Sequence, residues 1–139
     1  MKEPLYFHML PREIPISIKF PDGSVENTYI EKKSYNPHTY SITNKDNTFY
    51  VGYSVVHKKD QFCREFGRRV ATARMTDAIN RVSATDIQDG DKIHDDIKLT
   101  LDSVIKRSAE IRKISGPVDV IINCDWKGRR SYTKLKINV

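Results

Sequence analysis

The sequence predicts an α+β fold: a mainly antiparallel sheet of about five to six strands, with two helices on one face of the sheet. Residues that alternate between apolar and polar side chains occur near both ends of the chain, as in strands, and two central segments have apolar residues at helical spacing. The length of 139 residues suits one ordinary domain. We therefore expect a single α+β domain over residues 1–139.

Composition narrows the class of protein. The chain is 38% hydrophobic and 30% charged, as in soluble globular proteins, and no apolar run is long enough to cross a bilayer. The N-terminus lacks the apolar core of a signal peptide, so we expect a cytoplasmic protein with no membrane partner. The two cysteines are expected to be free thiols, and the four histidines are scattered singly, so neither a metal site nor a cofactor is predicted.

The first elements are strands. Isoleucines at 14, 16 and 18 alternate with Pro15, Ser17 and Lys19, the segment 21–24 (Pro-Asp-Gly-Ser) has turn chemistry, and alternation resumes over 25–32. This pattern predicts a β-hairpin. A short strand is expected at 40–43, followed by a stronger one at 48–57 whose two faces are both largely apolar or small, as in a central strand.

A helix is predicted after the central strand, with Asp60 as its N-cap. One apolar stripe has spacings of three and four: Phe62, Phe66, Val70 and Ala73. Beside it lies a seam of small residues: Cys63, Gly67, Ala71 and Ala78. Gly67 lowers helix propensity by about 1 kcal/mol relative to alanine, so close packing against the sheet is the expected compensation.

A second helix is predicted from Asp91 to about Lys113, ended by the pair Gly116-Pro117. Its predicted buried stripe is Ile93, Ile97, Leu101, Val104, Ser108 and Ile111. The remaining residues alternate again over 118–126 and 132–139, which predicts a C-terminal hairpin with its tip near 127–129.

The net charge of +6 favours a polyanionic partner. One basic group surrounds the start of the first helix: Lys58, Lys59, Arg64, Arg68, Arg69 and Arg74. Arg64 and Arg68 are four residues apart and project from one helix face, where their guanidinium groups can bind phosphates. The alternative is an ordinary solvated helix face, on which Glu65 pairs with Arg68 or Arg69, and Asp60 with Arg64.

A second basic group lies on the C-terminal hairpin, where cations stand beside Trp126 and Tyr132. We predict phosphate contacts at Lys127, Arg129, Arg130 and Lys134. Cations beside exposed rings are typical of proteins that hold single-stranded nucleic acid. Trp126 also continues the inward face of its strand, and we favour the core for it over a stacking role.

No catalytic site is predicted. The carboxylates at Asp95 and Asp96 lie on the outer side of a helix, and the segment 89–91 (Asp-Gly-Asp) is typical of a turn with a cap. Cys63 is expected to be buried and inert. We therefore do not expect an enzyme.

The run GYSVVHKKDQFCREFGRRVATAR, residues 52–74, resembles a strand-then-helix signature of small proteins encoded by tailed bacteriophages and lacking an assigned activity. The resemblance implies an accessory phage protein made in a bacterial cytoplasm. It implies no reaction, ligand or catalytic residue.

Two functional hypotheses follow. The first is a basic, non-enzymatic protein that binds DNA or RNA through phosphates, without sequence preference. The second is a protein-binding factor that inhibits or redirects a host enzyme or defence protein. It would bind through a sheet edge or through an aromatic patch of Tyr29, Tyr35, Tyr40 and Tyr50.

Overall fold

The computed structural model describes residues 3–10, 14–30, 36–56, 63–81, 87–88, 93–124 and 131–139. For residues 14–19, 27–30, 81 and 87–88 it describes the backbone only. In chain order the elements are β1 Leu5–Met9, β2 Ile14–Lys19, β3 Val25–Ile30, β4 His38–Lys45, β5 Thr48–Val55, α1 Arg64–Arg81, β6 Ile87–Gln88, α2 Asp95–Arg112, β7 Pro117–Asn123 and β8 Tyr132–Asn138.

The main sheet has six strands in the order β1-β4-β5-β7-β8-β6, and β2 and β3 form a separate two-stranded sheet. In the main sheet, β5 pairs with β7 and β6 with β8 in parallel, while β1–β4, β4–β5 and β7–β8 are antiparallel. The predicted α+β class with a mainly antiparallel sheet is confirmed. So are both hairpins and the central position of β5.

The two helices lie on opposite faces of the sheet, so their predicted placement on one face is wrong. Successive side chains of a strand point to opposite faces. Tyr40 of β4 donates its hydroxyl to the Ile97 carbonyl of α2, at 3.1 Å. Gly52 of β5 pairs with Ser41, the residue that follows Tyr40, so Gly52 and Ser41 belong to the other face of the sheet. There Gly52 lies under the α1 backbone at Ala71. Both faces of the central strands carry apolar or small side chains, so each face is covered by a helix that shields it from solvent.

The α2 face holds the larger apolar core. Residues of α2 pack there against β4, β5 and β7: Ile97, Leu101, Val104, Ile105 and Ala109 on the helix, and Ile42, Phe49, Val51, Val118, Val120 and Ile122 on the strands. The predicted stripe is confirmed except at Ile111, which is exposed. The helix begins at Asp95 and is capped by the His94 ring, which accepts from the Asp96 amide at 3.2 Å.

A buried hydrogen-bond network joins β4 to α2. His38 Nδ1 lies 3.0 Å from the Asn36 carbonyl oxygen, and Nε2 lies 2.8 Å from Thr100 Oγ1. A carbonyl only accepts, so Nδ1 carries a ring proton. The hydroxyl of Tyr40 lies 2.8 Å from the same Oγ1. Burial lowers the pKa of His38, opposed in part by the Asn36 carbonyl and Asp96.

Where α1 packs on β4 and β5, the contact is built mainly from small and polar side chains, and further along the helix Ala78 packs with Ile121 and Tyr132. The helix buries Gly67, Ala71, Met75 and Ala78. An added Cβ on Gly52 would lie 2.0 Å from the Ala71 carbonyl oxygen, which shows how closely helix and strand approach. Large side chains do not fit between them. This confirms the small-residue seam at Gly67, Ala71 and Ala78.

The other predictions for α1 need correction. Phe66 is 60% exposed, because the seam rather than the apolar stripe faces the sheet. Ala73 is exposed and Val70 only half-buried, for the same reason. Cys63, expected to be buried, is exposed immediately before the helix begins at Arg64. The predictions for Asp60, Phe62, Asp91 and Trp126 fall outside the described residues.

Two strands were not predicted. Strand β1 forms one edge of the main sheet, and the two-residue β6 forms the other. In the N-terminal hairpin, the predicted turn is confirmed: Gly23 has a φ of 89°, and the Ser24 amide donates to Asp22 Oδ1 at 2.9 Å. A positive φ of this size favours glycine.

Candidate nucleic-acid interface

Exposed cations of α1 meet the edge strand β1 on one face of the sheet. Tyr6 and His8 of β1 pair with Ser41 and Thr39, both of which lie on the α1 face. On the helix, residues 64, 68 and 72 are spaced by four and therefore line its β1-facing side. We call this set the α1–β1 surface: Tyr6, His8, Arg64, Arg68 and Thr72.

Side-chain contacts fix the geometry of the α1–β1 surface. The Arg68 guanidinium carbon lies 5.9 Å from the centroid of the Tyr6 ring, within the range of a cation–π contact. Thr72 Oγ1 donates to the Tyr6 hydroxyl at 3.1 Å and lies 3.1 Å from Ser41 Oγ. Tyr6 is thus held at both its hydroxyl and its ring, yet 41% of it stays exposed.

The pKa of His8 reflects the positive charge of the α1–β1 surface. Its Nδ1 lies 3.0 Å from Thr39 Oγ1. Burial, and then the positive charges of Arg64 and Arg68, lower the pKa of His8 below its usual 6.5. The field here already opposes a further positive charge, which is the condition under which an anion is attracted.

The arginines of this end of α1 are not used in ion pairs within the described part of the chain. No carboxylate of those residues lies within 4.0 Å of Arg64, Arg68 or Arg69. The alternative pairing of Glu65 with Arg68 or Arg69 is therefore wrong, and the pairing of Asp60 with Arg64 falls on a residue that is not described. Arg69 instead places its guanidinium 5.9 Å from the centroid of the Phe66 ring.

Arg74 lies on a different side of α1. It is six residues from Arg68, which at about 100° per residue places it on the other flank of the helix. There its Nη1 donates to the Tyr53 carbonyl at 2.7 Å, and the side chain is half-buried. One N–H donor of Arg74 is therefore used on a carbonyl of β5 that lies beyond Val51, the last residue of β5 that pairs with β7.

Lys134 is also remote from the α1–β1 surface. It lies on β8, four strands from β1, a separation of about 19 Å at the usual strand spacing. Its Nζ is 3.8 Å from Asp119 Oδ2, and the side chain is about half exposed. The described residues thus bring Arg64, Arg68 and Arg69 together and leave Arg74 and Lys134 apart from them.

The remaining predicted cations, Lys58, Lys59, Lys127, Arg129 and Arg130, lie outside the described residues. The described residues that flank them share one end of the sheet. Strands β5 and β7 are parallel neighbours, so their carboxyl-terminal residues, Val55 and Asn123, lie at the same end of the sheet. This is the end at which α1 begins.

The sequence reasoning missed Tyr6, His8 and Thr72. A signal for β1 was present, since Leu5, Phe7 and Met9 alternate with Tyr6 and His8. Phe7 and Met9 pack on the α2 core, which leaves the two polar rings on the α1 face. Nothing local could have placed these rings beside helix residues about 60 positions later.

A metal-binding cluster and a membrane-spanning helix are both absent from the part of the chain that is described. There, no three His, Cys, Asp or Glu side chains come together in a way that could hold a metal ion. Within the same residues, no helix is long and apolar enough to cross a membrane. Cys124 is buried, and burial raises the pKa of its thiol.

The chain matches no protein-family model, no curated protein and no solved structure.

Proposed function

We propose that this protein is a small, basic, non-enzymatic accessory protein that binds nucleic acid without sequence preference. In this proposal it acts in the cytoplasm of a bacterium infected by the phage that encodes it. The observation that carries the proposal is the α1–β1 surface, where Arg64 and Arg68 are exposed beside Tyr6 and are used in no ion pair among the described residues.

The chemistry suits phosphate. A guanidinium presents a planar fork of N–H donors that matches two phosphate oxygens, and Arg64 and Arg68 present two such forks from one helix side. Contacts to phosphate carry no base identity, which is why the expected binding is independent of sequence. Each phosphate neutralised releases counterions, so the affinity should fall steeply with salt.

Charge reversal tests the proposal directly. We expect the double variant Arg64→Glu/Arg68→Glu to lower the affinity for a labelled oligonucleotide by at least about 100-fold at about 50 mM salt, because two charged contacts are lost. Fluorescence anisotropy measures the affinity. The matched control is Lys98→Glu/Arg107→Glu, which changes the net charge equally at exposed positions of α2, on the opposite face of the sheet. Equal losses in both variants, or no binding by the unaltered protein, would contradict the proposal.

His8 should make the binding depend on pH. Its pKa is lowered in the free protein by burial and by Arg64 and Arg68, and a bound phosphate would offset their charge. The complex then binds a proton more readily than the free protein does, so affinity should rise as the pH falls below about 6.5. Titrations at three pH values measure this. His8→Gln should flatten the rise, and a rise that persists unchanged in that variant would exclude His8 as its source.

The protein-binding hypothesis gives a different outcome in a separate experiment. Tyr40 is fully buried, so the predicted aromatic patch cannot include it, and the side chains of Tyr29 and Tyr35 are not described. Partners captured from a bacterial lysate should be lost after nuclease treatment if they are held through nucleic acid. A single stoichiometric protein that survives nuclease would contradict our proposal and favour a protein-binding factor.

A further inference from the structure

Two exposed aromatic rings lie at the first two turns of α1, Tyr6 on the edge strand β1 and Phe66 on the helix, each with a guanidinium group over it. Arg68 lies over Tyr6, and Arg69 lies over Phe66, both at 5.9 Å from the ring centroid. Tyr6 is 41% exposed and Phe66 is 60% exposed. The Phe66 ring faces away from the sheet because the small-residue seam of α1 occupies the contact with Gly52.

Such pairs have a specific use in nucleic-acid binding. Aromatic rings and guanidinium planes both stack on the faces of nucleobases, and cations beside them hold the backbone. In a duplex each base face is covered by the next base pair, so a protein surface reaches phosphates and groove edges only. Exposed rings among the arginines therefore contribute to binding when the strand is single.

The positions of these side chains around the helix define a path for a single strand of nucleic acid. At about 100° per residue, Arg69 lies about 100° around the helix from Arg68, and Phe66 about 60° further on. The path runs from Tyr6 on the edge strand, across Arg68 and Arg69, to Phe66, around the outer side of α1. Glu65, which is exposed, lies between the two arginines on this arc. A helix is about 10 Å wide, so a few nucleotides cover the distance.

We propose that the interface holds single-stranded rather than duplex nucleic acid, with bases stacked on Tyr6 and Phe66 and phosphates held by Arg64, Arg68 and Arg69. This inference rests on the proposed function and adds to it the class of nucleic acid. Because stacking is tolerant of sequence, it is compatible with binding that does not depend on sequence.

The test compares one strand with its duplex. The probes are a labelled oligothymidylate of about 20 nucleotides and the same strand annealed to its complement, a length that exceeds the few nucleotides of the path. We expect the unaltered protein to bind the single strand at least about 10-fold more tightly, because stacking on two rings is lost with the duplex. Tyr6→Ala and Phe66→Ala should each weaken single-strand binding by about 5-fold or more, with duplex affinity changed less than about 2-fold.

Three controls isolate stacking. Tyr6→Phe keeps the ring and should keep the preference for the single strand. Leu99→Ala removes a side chain that is 62% exposed on α2, the opposite face, and should change neither affinity. Glu65→Gln should strengthen binding of both probes alike, since it removes a charge and no ring. Circular dichroism verifies that each variant is folded.

The outcomes separate this inference from the function on which it rests. Equal affinities for strand and duplex, both dependent on Arg64 and Arg68, would overturn the single-strand inference and leave the proposed function standing. Alanine variants that weaken both probes alike would overturn the stacking role of the rings. Binding to neither probe would overturn the proposed function, and this inference with it.

Discussion

Replacing Gly52 with alanine is expected to destabilise the protein by more than about 4 kcal/mol, or to prevent folding. The added Cβ would lie 2.0 Å from the Ala71 carbonyl oxygen and 2.2 Å from the Met75 amide nitrogen. Both are backbone atoms of α1, in consecutive turns, so no side-chain rotation relieves the overlap. The helix would have to move away from β4 and β5 as a whole and give up its packing.

Gly67→Ala is the matched comparison for Gly52→Ala. Its Cβ would meet the Thr39 hydroxyl oxygen at 2.8 Å and the Thr39 Cβ at 3.3 Å, both side-chain atoms, and rotation of the hydroxyl would cost its contact with His8 Nδ1. Against this, alanine gains about 1 kcal/mol of helix propensity at this position. We therefore expect a change of less than about 2 kcal/mol at Gly67. Urea denaturation followed by circular dichroism measures both variants, and equal losses at the two positions would contradict the account of α1 packing.

His38 is expected to make the folded state sensitive to mild acid. Its pKa is lowered by burial, so below about pH 6.5 the unfolded chain binds a proton that the folded protein does not. The stability that depends on neutral His38 is therefore complete above about pH 6.5 and decreases as the pH falls toward the lowered pKa. The decrease is at most about 1.4 kcal/mol per pH unit for one histidine. His8, whose pKa is also lowered, acts in the same direction.

Substitution of His38 should be severe as well. His38→Ala leaves a cavity and removes the partner of Thr100, so we expect a loss of about 3 kcal/mol or more. The measurement is the urea midpoint at pH values from about 7.5 to about 5.5, for the unaltered protein, for His8→Gln and for His38→Ala. His8→Gln should keep most of the acid sensitivity, and His38→Ala should lose most of it. A slope unchanged in His38→Ala would contradict the assignment.

Periodicity in the sequence predicted most strands and both helices, because a one-sided surface leaves a pattern of period two or of helical spacing. It did not predict which stripe of α1 faces the sheet. Both stripes were consistent with a helix, and the choice depends on Gly52, Ser41 and Ser54, which only the folded sheet places opposite Gly67 and Ala71. These tertiary contacts bury the small-residue seam and leave Phe66 exposed.

The grouping of the basic side chains was predicted only in part, for a similar reason. Spacing along a helix correctly predicted Arg64 and Arg68 on one side, since that relation is local. The predicted basic group also included Arg74, which lies on the other flank of the helix and donates to the Tyr53 carbonyl. Tyr6 and His8, the neighbours of the first two arginines, come from an edge strand that enters the sheet beside β4. Such a juxtaposition depends on strand order, which periodicity does not specify.

Residue-resolved mapping tests the central claim most directly. Amide chemical shifts would be followed by NMR while the oligothymidylate is added at about 50 mM salt, where phosphate contacts are strong. The proposal predicts the largest shifts at Tyr6, His8 and residues 64–69, with small shifts along α2 on the opposite face. Shifts confined to α2, or no shifts at saturating oligonucleotide, would contradict a nucleic-acid interface at the α1–β1 surface.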